Sequence, residues 1–292
     1  MASTINLKRR IKSIKNTSQI TKAMQLVSAS KLKRSQDYAN KSKEYYLLAK
    51  ELSWRLSKKS EALNQPMFFN RDVKSKLYII ITSNNGLAGA YNANVIKMLT
   101  KSLTEDQSLH IKSDIIAIGK KGAQFVRHLK DNLMIAFYPE FSDKPTANDI
   151  RPLLSTVLGL FRENKVDQVN LIYTAFKSTI SQKTLMTQLL PIQIEPEDTN
   201  YQDKSLELTN FEPDIELVID QIAERLIEAE IFQAIVDSKI SEYAMRMLAM
   251  KNASDNAKDL IDDYTLELNT VRQSSITQEL AEISGGVEAL KE

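Results

Sequence analysis

The sequence predicts a mixed α/β protein. Two long terminal helices pair as an antiparallel, left-handed coiled coil, and a compact α/β domain lies between them in the chain. Three observations carry this expectation: where the helix breakers fall, a sustained 3.5-residue apolar repeat near the C-terminus, and the opposite charge of the two ends.

The 292 residues hold 7 Gly and 7 Pro, each under half the usual share of ~7% and ~5%. None lies in 1–65, and none between Asp214 and Ser284. Apart from Gly285 and Gly286, every breaker falls between Pro66 and Pro213. Glycine and proline are the residues that most strongly interrupt a helix, so the chain divides into 1–65, 66–213 and 214–292, with long helices in the first and last parts.

In the last part, steps of three and four from Ile219 reach Ile222, Leu226, Ala229, Gln233, Val236, Ile240, Tyr243, Met247, Met250, Ser254, Ala257, Ile261, Tyr264, Leu268 and Val271. Only Gln233 and Ser254 are polar. A heptad sustained over this length predicts a coiled coil with a left-handed supercoil, running about 80 Å from Ile219 to Val271. The first part is less regular. Leu7, Ile11 and Ile14 form a stripe, which Ile20, Met24 and Val27 continue with a shift and Leu48, Leu52 and Leu56 resume. Ser28, Ala29 and Ser30 are small enough to let a partner helix approach, and Thr4 or Asn6 is placed to cap the start.

Charge suggests which helices pair. Nine bases and no acid precede Asp37: Lys8, Arg9, Arg10, Lys12, Lys15, Lys22, Lys31, Lys33 and Arg34. The stretch from Asp214 to Ser284 has 15 acids and 6 bases. The termini therefore pair with each other, antiparallel because the middle returns the chain. The apolar seam supplies most of the stability, and opposite flanking charges add about 0–1 kcal/mol for each exposed pair.

The middle alternates strand and helix patterns. Leu77–Thr82, Asp114–Ile118, Leu133–Tyr138 and Val169–Thr174 read as buried strands, and Leu185–Ile194 as a fifth. Helical stretches at Asn92–Leu103, from Gly122 to Leu129 and at Asn148–Arg162 separate them. This alternation predicts a Rossmann-like α/β domain around a mostly parallel sheet. Ser83–Asn92 follows a strand and precedes a helix, where phosphate loops sit. It matches neither G-x-G-x-x-G nor G-x-x-x-x-G-K-[ST], and Gly119-Lys-Lys-Gly122 is also short of a fingerprint. These glycines read as tight turns and close packing, with a small nucleotide-binding enzyme as the alternative.

Composition excludes several other classes. With 42% apolar and 26% charged residues and a net charge of +2, the chain is neither disordered nor collagen-like. No apolar run approaches the ~20 residues of a membrane span. Zero Cys removes disulfides, thiolate metal sites and a cysteine nucleophile, and only His110 and His128 are available for imidazole chemistry. No signal peptide is evident, so a cytosolic location is expected. The basic stripe leaves open a nucleic-acid-binding coiled coil.

Three segments carry a resemblance. Ile20-Thr-Lys-Ala-Met-Gln-Leu-Val-Ser-Ala-Ser-Lys-Leu32 resembles the N-terminal signature of the ATP synthase gamma family. Ala244-Met-Arg-Met-Leu-Ala-Met-Lys-Asn-Ala-Ser-Asp-Asn256 and Arg272-Gln-Ser-Ser-Ile-Thr-Gln-Glu-Leu-Ala-Glu-Ile283 resemble its C-terminal signature. The resemblance spans the chain in the order helix, α/β domain, helix. It implies a central rotor shaft of proton-translocating F-type ATP synthase. The shaft inserts into the alpha and beta hexamer, its foot docks with epsilon on the membrane ring of c subunits, and it has no catalytic site, cofactor, metal or membrane span of its own.

Residue by residue, Arg272, Gln273, Thr277 and Glu279 match positions that contact beta loops near the top of the shaft. Met24 matches the facing position on the N-terminal helix. Phe211, Glu212 and Asp214 match a foot segment near the c ring and epsilon. Lys8 stands where an arginine is common, Asn85 where an arginine is common, and Phe211 where a tyrosine is common. The absence of Cys argues against the redox-regulated insert of chloroplast members. The start directly before the shaft helix leaves no room for a transit peptide, so the resemblance implies a bacterial enzyme at the cytoplasmic face of the cell membrane.

Overall fold

The computed structural model describes residues 4–57, 66–69, 71–129, 133–139, 141–193 and 215–289. Its elements are α1 (Thr4–Ser57), β1 (Ser75–Ile81), α2 (Tyr91–Ser108), β2 (Lys112–Ile118), α3 (Lys120–Arg127), β3 (Met134–Tyr138), α4 (Ala147–Arg162), β4 (Gln168–Phe176), β5 (Gln182–Leu190) and α5 (Ile215–Ala289). The two terminal helices are the breaker-poor segments, and α5 runs unbroken for 75 residues. The chain divides into two compact units: Met1–Ser28 with Met247–Glu292, and Ala29–Arg246.

The second unit is built on a five-stranded sheet of order β3-β2-β1-β4-β5. Strands β3, β2, β1 and β4 are parallel, and β5 returns antiparallel along β4. Side chains alternate across a strand, so Leu77, Ile79 and Ile81 turn to one face. There they join Ile150, Leu153, Val157 and Phe161 of α4 and Ala223, Ile227, Ile231 and Ile235 of α5. Tyr78 and Ile80 turn to the other face, against Val95 and Leu99 of α2 and Ala123 and Val126 of α3. Covering both faces is why β1 and β2 read as continuous apolar runs.

The third strand departs from expectation. It is not buried but alternates, with Ile135 44% and Phe137 38% exposed, because β3 is an edge strand bonded only to β2.

The glycines after β2 allow close approach. Gly119 has φ +88°, and a Cβ there would lie 2.0 Å from the Thr82 carbonyl oxygen. At Gly122 a Cβ would lie 2.8 Å from Thr82 Oγ1, which accepts the Gly122 N–H at 2.8 Å and donates to the Ile118 carbonyl at 2.8 Å. The β2–α3 turn therefore rests directly on the end of β1.

The heptad of α5 is visible as burial. In the first unit Met250, Ser254 and Ala257 are buried, and Ile261, Tyr264, Leu268 and Val271 are half-buried. Between Lys251 and Val271 every residue off that seam except Ala253 is exposed. In the second unit Ile219, Leu226, Ala229, Val236, Ile240 and Tyr243 are buried too, together with many residues off the seam.

The stripe on α1 does not shift as expected. It keeps one register through Thr4, Leu7, Ile11, Ile14, Ser18, Thr21, Gln25, Ser28, Leu32, Ser35 and Ala39, all buried or half-buried. Ile20 and Val27 are instead 62% and 57% exposed, and Leu48 is 64% exposed; the side chains of Leu52 and Leu56 lie outside the described residues. The small hydroxyl residues keep the register because they bond their own helix. Thr21 Oγ1 donates to the Ser18 carbonyl at 3.0 Å and Ser28 Oγ to the Met24 carbonyl at 2.8 Å, so both enter the seam with their polar atoms satisfied.

Within the second unit the helices run antiparallel. Lys31 meets the Tyr243 ring and Tyr38 meets the Phe232 ring, so advancing along α1 retreats along α5. The expected flanking ion pairs do not form. Among the described residues none of the nine early bases reaches an acid of α5: Lys31 pairs with Asp143, and Arg10 in the first unit lies 6.0 Å from the Tyr264 ring centroid. The other early bases point outward, every one of the nine except Lys31 being exposed.

Candidate functional site

Two places stand out: the distal part of α5 and the loop between β3 and α4. Beyond Val271 the α5 helix has no buried position as far as Ser284. Four residues per ~400° of helix turn place Arg272, Ile276, Glu279 and Ile283 in one strip, with Gln273, Thr277, Leu280 and Ser284 beside it. Ile276, Leu280 and Ile283 are 47%, 61% and 65% exposed. Thr277 Oγ1 donates to the Gln273 carbonyl at 2.9 Å, and neither Arg272 nor Glu279 forms an ion pair among the described residues. A helix strip that mixes unpaired charge with exposed branched apolar side chains is suited to binding a surface rather than to bond chemistry.

The loop from Phe141 to Thr146 gathers side chains from both long helices within the second unit. Asp143 Oδ1 accepts from the Tyr243 hydroxyl of α5, and its Oδ2 lies 3.3 Å from Lys31 Nζ of α1. Lys31 also donates to Tyr243 Oη at 3.4 Å and sits 5.2 Å from that ring's centroid. Two residues on, the Pro145 carbonyl accepts from the Tyr38 hydroxyl of α1. Burial alone would raise the Asp143 carboxyl, but the Tyr243 hydroxyl and Lys31 outweigh it and hold Asp143 below its usual range. The loop then enters α4 through Thr146, whose N–H donates to Asp149 Oδ2 at 2.7 Å.

Three further ties hold α5 to the domain. Arg162 Nη2 lies 2.8 Å from Asp220 and 2.6 Å from Glu224. Ser241 Oγ donates to the Thr174 carbonyl at 3.0 Å. Arg246, 8% exposed, pairs with Glu242 at 2.5 Å and donates to the carbonyls of Asn85 and Gly86 at 3.4 Å. The crevice beyond the C-terminal ends of the strands, where α/β sheets commonly bind ligands, is filled from this side. Ile235, Ser238, Lys239 and Glu242 of α5 close it to a cavity of about 10 Å³ beside Thr82 and Tyr91, room for about one water.

A family profile described as ATP synthase matches residues 3–290. A protein of Staphylococcus saprophyticus called ATP synthase gamma chain is 36% identical over 295 residues, covering 100% of both chains. The Alkaliphilus metalliredigens protein of the same name is 38% identical over 288 residues, with 98% of each chain covered.

The chain belongs to the ATP synthase gamma family.

Solved structures agree in fold. A chain of the Euglena gracilis mitochondrial ATP synthase, in an assembly of OSCP, F1 and c-ring, aligns with TM-score 0.69 at 19% identity, covering 98% of this chain and 94% of that one. A chain of the Tetrahymena thermophila mitochondrial enzyme's central stalk and c-ring aligns with TM-score 0.65 at 23% identity, covering 80% and 99%. As a gamma-family chain this protein is similar over its whole length to proteins called gamma chains of ATP synthase. No helix among its described residues is long and apolar enough to cross a membrane.

Of the residues that the gamma resemblance singles out, the structure brings Arg272, Gln273, Thr277 and Glu279 together on two adjacent strips. Met24 is not among them. It is half-buried on α1. Phe211, Glu212 and Asp214 fall outside the described residues. Sequence reading missed Ile276, Leu280 and Ile283 as exposed. The signal was present, because they fall off the heptad that ends at Val271. It also missed Asp143, for which no local pattern announces a partner on either helix.

Proposed function

We propose that this chain is the rotor shaft of a proton-translocating F-type ATP synthase at the cytoplasmic face of a bacterial membrane. In this reading 1–65 and 214–292 form the shaft and 66–213 the foot. The distal part of α5 sits inside the alpha and beta hexamer, where Arg272, Gln273, Thr277 and Glu279 contact beta loops and Met24 makes a contact from α1. The foot, with Phe211, Glu212 and Asp214, meets epsilon and the c ring. The shaft is asymmetric, so each of the three beta subunits meets a different face of it. A face that binds the closed beta conformation more tightly than the open one raises the closed population at that site. Rotation passes that bias from site to site, and with it ATP synthesis or hydrolysis. The chain itself makes and breaks no bond.

The observation that carries the reading is the exposed strip from Arg272 to Ser284. It is apolar enough to need a partner and extends past the seam that binds the two helices. The test is assembly with alpha and beta subunits followed by steady-state ATPase. Arg272→Ala and Glu279→Ala are expected to lower turnover about three- to tenfold. The isolated chain should keep its stability within about 0.5 kcal/mol, as exposed positions do. Failure of the wild-type chain to join the hexamer would sink the proposal.

A further inference from the structure

We infer that Lys31, Asp143 and Tyr243, with Tyr38 on the Pro145 carbonyl, form a clamp that fixes the register of the two long helices against the α/β domain and so transmits torque between them. The inference rests on the rotor reading above and assigns its load path to particular side chains.

The two helices are held to the domain by different means. Within the second unit, α5 is embedded: Ile227, Ile231 and Ile235 are part of the core under the sheet, and Arg162, Thr174 and the Asn85–Gly86 turn bond it along its length. Torque on the domain therefore reaches α5 through many contacts. Among the described residues, helix α1 contributes none to either core cluster of the sheet. It meets the β3–α4 loop through Lys31 and Tyr38, two turns apart on the same helix, and each holds a different oxygen of that loop.

Asp143 is what makes this a three-way joint. Its carboxylate has two oxygens, and one goes to each helix. Lys31 closes the triangle by lying over the Tyr243 ring. If α1 slides or rotates against α5, Lys31 must leave either Asp143 or Tyr243. A lone half-exposed ion pair would resist such motion little, but here the ammonium, the ring and the phenol are fixed by one carboxylate whose loop is anchored again at Pro145. The loop is also held from the α4 side, where Thr146 bonds Asp149. The clamp positions the helices; it touches no substrate.

The test uses the assembled enzyme in inverted membrane vesicles and reads the ratio of ATP-driven proton uptake to ATP hydrolysis. Asp143→Asn combined with Tyr243→Phe is expected to lower that ratio at least twofold at normal gamma content. Asp143→Glu, which keeps both acceptor oxygens, should restore most of it, and Tyr38→Phe should give a smaller loss of the same kind. An unchanged ratio in the double variant overturns the clamp. So does a parallel loss of uptake and hydrolysis in step with gamma lost from the complex, because the side chains would then serve packing alone. If the wild-type chain supports no uptake in the assembled complex, the rotor reading itself fails, an outcome distinct from either.

Discussion

Helix α5 runs through two environments with one sequence pattern. From Ile219 to Arg246 it is buried on several sides, and from Met247 to Val271 on a single stripe. The heptad steps of three and four continue unchanged across that divide. A heptad therefore reports that one face is covered but not how many others are. The residues between the seam positions carry the missing information: Ile227, Ile231, Ala234 and Ile235 are apolar off the seam, whereas Asp255, Asp259, Asp262 and Asp263 hold the same positions four heptads farther along. Apolar flanks mark the stretch that a sheet covers, and acidic flanks mark the stretch that water covers.

Truncating one side chain in each environment should produce the largest contrast. Ile231 is fully buried in the domain core, so Ile231→Ala loses transfer energy and leaves a cavity, at a cost of about 2–5 kcal/mol. Ile261 is half-buried on the seam, and Ile261→Ala should cost about 1 kcal/mol or less, because part of the side chain already meets water. Urea unfolding of the full chain, read with amide hydrogen exchange to assign each change to its region, measures both. Equal costs would mean that the single stripe is as fully packed as the domain core.

Much of the fold was legible, for reasons visible in particular residues. The strands were marked by branched apolar runs such as Leu77–Ile81, because a doubly covered parallel strand has no polar face to interrupt the run. The register of α1 was misread because the burial rule favours Ile20 and Val27 over Thr21 and Ser28. In the seam, small size and a hydroxyl that bonds its own helix count for more than apolar character. The distal strip on α5 was legible through Arg272 and Glu279 by resemblance. Its apolar half follows from arithmetic, since Ile276, Leu280 and Ile283 are off the repeat. The Asp143 joint was not legible, because a single acid in a loop has no periodicity and its partners lie 100 or more residues away.

Alkaline pH should separate the regions next. In the domain, Tyr78 donates to buried Asp106 Oδ2 at 2.6 Å, and Ser113 Oγ and Lys76 Nζ bond the same carboxylate at 2.8 and 2.6 Å. Burial first, and then the bond to Asp106, push the Tyr78 phenol well above its usual value of 10.0. The folded state thus holds this proton more tightly than the unfolded chain does. Its contribution is complete below pH 10 and is lost as pH rises beyond, by at most about 1.4 kcal/mol per pH unit for one proton. Melting from pH 9 to 11.5 should show a steeper fall for the wild type than for Tyr78→Phe, which starts less stable at pH 8 because the Asp106 bond is gone. Parallel curves would mean that another group carries the alkaline limb.

The smallest effect is expected in the seam of α1, where one residue type occupies both environments. Ser28, in the first unit, is 3% exposed and its hydroxyl bonds the Met24 carbonyl. Ser35, in the second unit, is 2% exposed and its hydroxyl has no bonding partner among the described residues. Both become apolar on replacement by alanine, and both gain the same helix propensity of roughly 0.5 kcal/mol. At Ser28 the change also removes a satisfied hydrogen bond, so the two terms nearly cancel. At Ser35 it removes a buried hydroxyl that had lost its water without compensation, and the gain should reach about 1 kcal/mol. Thermal melts of the two variants should therefore differ in sign or size, with Ser35→Ala the more stable. A loss of stability in Ser35→Ala would show that this hydroxyl bonds a group in the folded chain, and the polar seam would then be as fully satisfied against the embedded half of α5 as against the half that only the stripe holds.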